Sequence, residues 1–126
     1  MRTGVMIPTF NRPDLMRACV LQLVHQSHPP DIICIHQNGR VDSYQWAVAD
    51  LALAPRVIWL HTPSTLLQHD WYAIPLKRML EDDCTHFFWA DHDDIYLRRH
   101  IELGLKDLET FDFSRSFSTS SMCRRR

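Results

Sequence analysis

The chain has no excess charge of either sign. Among its 126 residues, 14 Lys and Arg stand against 15 Asp and Glu, for a formal net charge of −1. Nucleic-acid binding depends on many Lys and Arg contacts with phosphates, so this balance argues against a nucleic-acid partner. A hydrophobic content of 45% with 23% charged residues is typical of a globular protein. The length predicts one folded domain.

Paired cysteines and long apolar segments are also missing. The four cysteines, Cys19, Cys34, Cys84 and Cys123, are far apart and form no Cys-x-x-Cys pair. Neither a zinc site nor a disulfide framework is therefore expected. No segment reaches the roughly 20 apolar residues that span a membrane, and the N-terminus lacks the apolar stretch of a signal peptide. We expect no transmembrane segment and a location in the reducing cytoplasm.

Short apolar runs alternate with helical patterns along the chain. Runs at 5–7 (ended by Pro8), 32–35, 57–60 and 87–90 predict four buried strands. Apolar residues at helical spacing predict helices from about 13 to 24, from Asp42 or Ser43 to about Leu53, from about 70 to 81, and around 97–108. This order predicts an α/β fold with a mainly parallel sheet and helices on both faces.

The last residues break this pattern. From Ser114 onward the chain is rich in Ser and Arg and has no hydrophobic periodicity. We therefore expect a folded domain over residues 1–113 and a flexible tail over 114–126. A second interpretation is that the natural continuation of the chain has been lost there.

A cluster of acidic residues follows the fourth predicted strand. In an extended chain, Asp91 and Asp93 would share a face about 6.6 Å apart, and Asp94 would point the other way. Like charges this close repel each other, and a divalent cation would relieve the repulsion. A phosphate-bearing substrate commonly supplies the further ligands of such a cation. The cluster therefore predicts a metal and phosphate site.

The other polar segments lie where this site would need them. They follow the predicted strands at Thr9 to Arg12, at Gln37 to Gly39 and at His61 to Thr62. The carboxyl ends of parallel strands meet at one edge of a sheet, and this edge is where α/β sheets bind ligands.

Simpler interpretations exist for several of these residues. The aspartates could form a solvated turn in which Asp94 caps the next helix, and Asn11 could cap the first helix. His86 and His92 are six residues apart and have no matching pair, so a histidine metal site is not expected. Three tryptophans fit core positions, whereas Trp71 begins a helix beside the ligand edge and could serve as a platform for a sugar.

Taken together, the segments at 5–12, 33–39 and 88–96 resemble the family 2 glycosyltransferases of GT-A fold. The resemblance extends from about residue 4 to residue 110. It implies a Rossmann-like GT-A nucleotide-binding domain that takes a nucleotide-diphosphate sugar and transfers the sugar to an unknown glycan or other acceptor. It also implies Mn²⁺ or Mg²⁺ as the cofactor.

The same resemblance implies a role for individual residues. Those that match the family's first loop, which lies against the nucleotide, are Pro8, Thr9, Asn11 and Arg12. Gln37 stands where the family usually has an acidic residue that recognises the base. Asp91 and Asp93 match the Asp-x-Asp pair that contacts the ribose and holds the metal, and His92 between them would line the sugar pocket.

One part of the family pattern is not matched. Family members carry the acceptor site and a carboxylate base after the Asp-x-Asp strand, and no carboxylate here has that context; the candidates are Glu102, Asp107, Glu109 and Asp112. We therefore expect a nucleotide-sugar-binding half without its acceptor half, which could form a homo-oligomer to cover the exposed face. The alternatives are a truncated, non-catalytic nucleotide-binding domain and, less favoured, a nucleotidyltransferase-like enzyme.

Overall fold

The predicted alternation of strands and helices is present in the computed structural model, which describes residues 1–40, 42–63, 68–115 and 121–124. In chain order the elements are β1 (Thr3–Thr9), α1 (Pro13–Val24), β2 (Ile32–Asn38), α2 (Trp46–Ala49), β3 (Arg56–Thr62), α3 (Gln68–Glu81), β4 (His86–Trp89), α4 (His100–Leu108), β5 (Phe113–Arg115) and β6 (Ser121–Arg124).

The strands form one mixed sheet in the order β3-β2-β1-β4-β6-β5. Strands β1 to β4 run parallel, β6 pairs antiparallel with β4, and β5 pairs antiparallel with β6. The prediction of an α/β fold with a mainly parallel sheet is confirmed.

Side chains of the central strands alternate between two apolar layers. Val5 and Ile7 of β1 lie in one cluster together with residues of α1, α2 and α4. Met6 of β1 and Cys34 of β2 lie in the other cluster, which includes Met79 of α3. Because both faces are covered, these strands read in the sequence as continuous apolar runs. Helices on both faces are therefore also confirmed.

Pro8 does not end β1, contrary to the sequence prediction. The strand continues to Thr9, and Pro8 pairs with His36 of β2. Met6 accepts a hydrogen bond from the backbone of Ala90, so the even residues of β1 turn their backbone groups toward β4. Since β4 ends at Trp89, opposite Met6, the pairing of β1 with β4 stops before Pro8, and the missing N–H of Pro8 costs no ladder hydrogen bond on that side.

Two predicted helix features are wrong. The second helix is much shorter than expected, because Leu51 donates to Val48 in a closing turn and the chain then becomes irregular up to β3. Asn11 is not the cap of α1. The cap position belongs to Arg12 and has no side-chain hydrogen bond, while Asn11 has a left-handed backbone with φ of 52°.

Part of the segment predicted to be a flexible tail lies in strands. Residues 113–115 form β5, and residues 121–124 form β6 beside β4. The prediction for residues 116–120 and 125–126 lies outside the described residues. Among the helices that the structure describes, none is both long and apolar enough to cross a membrane.

Candidate functional site

A cleft opens where β1 and β4 end. These strands are neighbours, but α1 follows β1 on one face of the sheet and α3 precedes β4 on the other. Such a divergence is the usual ligand position of a doubly wound sheet. The cleft has a volume of about 350 Å³, within the range of small-molecule sites. Its described lining residues are Pro8, Thr9, Phe10, Asn38, Trp71, Asp91, His92 and Asp93.

The aspartates lie in a turn rather than in an extended strand. β4 ends at Trp89, and the backbone N–H of Asp94 donates to the carbonyl of Asp91 over 3.3 Å. The strand-face alternation predicted from the sequence is therefore wrong, although Asp91 and Asp93 both line the cleft. The capping alternative is wrong as well, because α4 begins only at His100.

Asp91 is held from several directions. The Tyr72 hydroxyl donates to Asp91 Oδ1 over 2.8 Å, and the Tyr96 hydroxyl donates to its backbone carbonyl over 3.0 Å. The Cys19 thiol donates to the same carbonyl over 3.8 Å. Burial and then the hydrogen bond to Asp91 raise the pKa of Tyr72, so its hydroxyl stays a donor. This leaves Oδ2 as the carboxylate oxygen of Asp91 that accepts no hydrogen bond from Tyr72.

The electrostatics of the turn follow from partial burial. Burial lowers the pKa of His92, and the charges of Asp93 and Asp91 oppose that shift. Burial raises the pKa of Asp94, and the two neighbouring aspartates add to it. Burial, followed by the charge of Asp91, also raises the pKa of the Cys19 thiol to about 12, so the thiol stays protonated.

A chain of hydrogen bonds connects His92 to the core. His92 Nδ1 and Thr9 Oγ1 are 3.0 Å apart, and Thr9 Oγ1 lies 3.0 Å from the Tyr44 hydroxyl. Thr9 and Tyr44 are both buried, and the Tyr44 ring packs edge-on against Trp59 with centroids 5.6 Å apart. Thr9 therefore lines the cleft while its hydroxyl is turned inward.

Gln37 is fully buried, and its side-chain amide is used within its own loop. Its Nε2 donates to the carbonyls of Asp42 and Gly39 over 2.8 and 3.3 Å, and its Oε1 accepts from the backbone N–H of Tyr44 over 3.0 Å. The side chain ties β2 to the following loop. Base recognition by Gln37 stays a prediction, and it would require these bonds to be exchanged.

Asn11 and Arg12 do not line the cleft. Arg12 is exposed and pairs with Asp14 over 3.2 Å, and the Asn11 Oδ1 accepts from Arg40 over 3.0 Å. Of the predicted site residues, the structure brings together Pro8, Thr9, Asp91, His92 and Asp93, and it leaves the other first-loop residues beside them.

Several residues of the site were not found by sequence reasoning. Tyr72 and Tyr96 hold Asp91, Phe10 lines the cleft, and Tyr44 supports Thr9. Tyrosines inside apolar helical patterns look like core residues, so no sequence signal separates these hydroxyls from ordinary packing. The exposed aromatic Phe10, between Thr9 and Asn11, was the one available hint.

The oxygen donors of the cleft determine which metal could bind there. Among the described residues, no group of three or more His, Cys, Asp or Glu is arranged to hold an ion. Two carboxylates, Asp91 and Asp93, do line the cleft. One or two carboxylates, completed by phosphate oxygens and water, suit Mg²⁺ and similar hard cations. The residues therefore fit a metal that is bound together with a phosphate-bearing ligand.

Solved structures share this fold. A crystal structure of S. aureus TarS 1-349 matches with a TM-score of 0.72 and 13% identity, over 90% of this chain and 34% of that one. A second S. aureus TarS structure matches with a TM-score of 0.70 and 12% identity, over 94% of this chain and 23% of that one. TarS is a family 2 wall teichoic acid glycosyltransferase.

The chain therefore has a GT-A-like, Rossmann-like α/β fold. It spans about a quarter to a third of the length of these structures. Neither family models nor curated protein sequences match it.

Proposed function

We propose that this domain binds the nucleoside diphosphate of a sugar nucleotide in the cleft, with Mn²⁺ or Mg²⁺ at Asp91 and Asp93, as the donor-binding part of a glycosyltransferase. The observation that supports it best is that these aspartates line one cleft with Pro8 and Thr9, at the switch point of the sheet. Open α/β sheets bind their ligands at this point. The TarS neighbours add support at the level of fold.

The negative charges of the cleft support the binding of a metal ion together with the diphosphate. Asp91 and Asp93 are the acidic side chains that line it, and a diphosphate placed beside them would be repelled. A divalent cation between the two would convert that repulsion into attraction. Asp91 offers Oδ2, since Tyr72 already donates to its Oδ1, and the carboxylate of Asp93 is exposed. When bound, such a cation neutralises charge on a departing diphosphate.

Aromatic surface supports a sugar or a base as part of the ligand. Trp71 and Phe10 line the cleft, and the Phe10 side chain is 51% exposed. Flat apolar rings beside a few polar groups are typical of sites that bind sugars and nucleobases. Trp71 as a sugar platform thus remains part of the proposal.

Thermal unfolding with Mn²⁺ and each of UDP, GDP, CDP and ADP tests donor binding. A nucleotide present at 100 times its Kd should add about 2.7 kcal/mol of stability, or roughly 10 °C for a chain of this size. Asp93→Ala should remove that increase. Glu81→Ala is the matched control, because this exposed carboxylate ends α3, far along the helix from Trp71.

Two results would reject the proposal. One is that none of the four nucleotides raises the melting temperature with Mn²⁺ or Mg²⁺. The other is that Asp93→Ala keeps the full increase. An equal increase in EDTA would reject the metal while leaving nucleotide binding in place.

Sugar transfer is a separate step with its own measurement. A general base must take the proton of the acceptor hydroxyl. Of the carboxylates that follow Asp94 along the described chain, none lines the cleft. We therefore propose donor binding first and test turnover by release of nucleoside diphosphate from a sugar nucleotide, lost in Asp93→Ala. Release of pyrophosphate from a nucleoside triphosphate would favour the nucleotidyltransferase alternative.

A further inference from the structure

We propose that Tyr44 and Thr9 are positioning residues that fix the imidazole of His92 so that Nε2–H points as a donor toward the cleft, where it binds a phosphate oxygen of the ligand. This inference rests on the proposed donor-binding function and deepens it. It also gives Thr9 a different task from the direct nucleotide contact that the first-loop resemblance implies.

The direction of the first hydrogen bond follows from acidity. Either hydroxyl has a hydrogen to donate across the 3.0 Å contact between Tyr44 and Thr9. Because a phenol is a stronger donor and a weaker acceptor than an aliphatic hydroxyl, acidity favours Tyr44 as the donor. Burial raises the pKa of Tyr44, and the backbone N–H groups of Asn11 and Arg12 act in the opposite direction, as groups that donate toward its oxygen do. The hydrogen of Tyr44 is therefore directed at Thr9 Oγ1.

The direction of the second bond follows from the first. With Tyr44 donating to its oxygen, Thr9 has its own hydrogen left for His92 Nδ1, 3.0 Å away. A neutral imidazole that accepts at Nδ1 carries its hydrogen at Nε2. A protonated imidazole also has a hydrogen at Nε2. Both states therefore present a donor there, and only the Nδ1–H tautomer, which this chain of bonds disfavours, does not.

The position of Nε2 makes the donor useful. The two nitrogens lie on different sides of the imidazole ring, and Nδ1 is turned to Thr9, while His92 lines the cleft between Asp91 and Asp93. No hydrogen bond to Nε2 is found within the described part of the chain. The neighbouring side chains are carboxylates, which accept hydrogen bonds from hydroxyls or ligate cations but donate nothing when ionised. His92 thus supplies, between the two carboxylates, a donor for a phosphate oxygen of the ligand.

Two matched pairs of substitutions test the chain of bonds. Thr9→Ser keeps the hydroxyl and Thr9→Val keeps the shape without it. His92→Gln places an amide N–H near the Nε2 position, whereas His92→Asn reaches only the Nδ1 position. The Kd of Mn²⁺ with whichever of UDP, GDP, CDP and ADP binds the wild type is measured by calorimetry. We expect Thr9→Val and His92→Asn to weaken binding about tenfold, and the partner variants to stay within about threefold.

The tautomer is read directly from the wild-type protein. Imidazole ¹⁵N–¹H correlation spectra distinguish a hydrogen at Nε2 from one at Nδ1, and we expect Nε2–H in His92. Thr9→Val should shift His92 toward a mixture of tautomers, and it should lower the melting temperature without ligand relative to Thr9→Ser, because the buried Tyr44 hydroxyl loses its partner. This measurement needs no ligand and keeps the inference testable if a Thr9 variant folds poorly.

The outcomes separate the two proposals. If the wild type binds no nucleotide with metal, the proposed function fails. If it binds, but each pair shows equal affinity or the spectrum shows Nδ1–H, only this inference is overturned. A loss confined to a sugar nucleotide, absent with the nucleoside diphosphate, would overturn the phosphate oxygen as the acceptor and assign a sugar hydroxyl.

Discussion

Gln37→Glu tests whether this buried side chain serves the loop or a ligand. Relatives of GT-A fold are expected to have an acidic residue here, so the change should be harmless if position 37 mainly meets a base. The structure indicates otherwise. The amide of Gln37 donates to the carbonyls of Asp42 and Gly39, and a carboxylate can donate to neither. Its oxygen could still accept from the Tyr44 backbone.

The size of the effect follows from these bonds. Two donors are lost and the two carbonyls then face a buried negative charge. Each buried acceptor left without its donor costs about 1–3 kcal/mol. We expect the free energy of unfolding to fall by about 2–6 kcal/mol near neutral pH. Gln37→Met, which keeps the volume and removes the polar atoms, should also destabilise, because the Tyr44 N–H then loses its acceptor.

The pH dependence makes the test specific. In the folded Gln37→Glu variant, burial against two carbonyls should raise the pKa of the introduced carboxyl above the value near 4.3 of the unfolded chain. The unfolded chain then loses its proton first as the pH rises. Stability relative to wild type is therefore best below about pH 4 and falls as the pH passes the folded pKa. Urea unfolding at several pH values measures this. A Gln37→Glu variant as stable as wild type at neutral pH would show that the bonds of Gln37 to Asp42 and Gly39 do not stabilise the fold.

Two further predictions concern the face of the sheet toward α3. Burial lowers the pKa of His36, whose ring nitrogens lie within hydrogen-bond distance of the Trp71 carbonyl and the Thr62 hydroxyl. As the pH falls below about 6.5, the unfolded chain therefore binds the proton first, and the free energy of unfolding should decrease by at most about 1.4 kcal/mol per pH unit. Urea unfolding should show a smaller decrease in His36→Gln. An equal slope in both proteins would contradict this. Binding of metal and nucleotide should change tryptophan fluorescence, because Trp71 lines the cleft. Trp71→Phe should remove most of that change, whereas Trp46→Phe, at a 68% exposed residue outside the cleft, should keep it. The reverse pattern would place the ligand elsewhere.

The layered core was predictable because two patterns dominate the sequence, namely short continuous apolar runs and apolar residues at helical spacing. Strand runs that are apolar at every position indicate burial on both faces, and β1 and β2 have that pattern. Element ends were less predictable. The loss of helix after Ala49 depends on how Leu51 and Leu53 pack against the core, which no local pattern reports. The strand at residues 121–124 has little apolar pattern of its own and is an antiparallel neighbour of β4.

The candidate cleft was predictable at the level of strand ends, but not at the level of side-chain direction. The turn at Asp91–Asp94 replaced the expected extended chain, yet both aspartates reached the cleft. The reason is topological. Any residue immediately after β1 or β4 is delivered to the same edge, whatever its local conformation. Topology does not determine local conformation, and the predicted capping role of Asn11, which depends on it, was wrong.

The alternation of side chains along β1 and β2 explains why Thr9 and Gln37 are turned toward the core. Thr9 follows Val5 and Ile7 at a spacing of two, and Gln37 follows Ile33 and Ile35 in the same way. Because alternate residues share a face, both polar side chains belong to the layer that also holds Tyr44.

Both are in fact bound to that residue, Gln37 to its backbone N–H and Thr9 to its hydroxyl. Two side chains expected to meet the nucleotide are thus bonded to the loop after β2, and their contact with a nucleotide stays a prediction. Tyr44 adds a side-chain connection between the ends of β1 and β2, which also pair directly in the sheet. A substitution of Tyr44 should therefore change the orientation of His92 in the cleft through Thr9, although Tyr44 itself does not line the cleft.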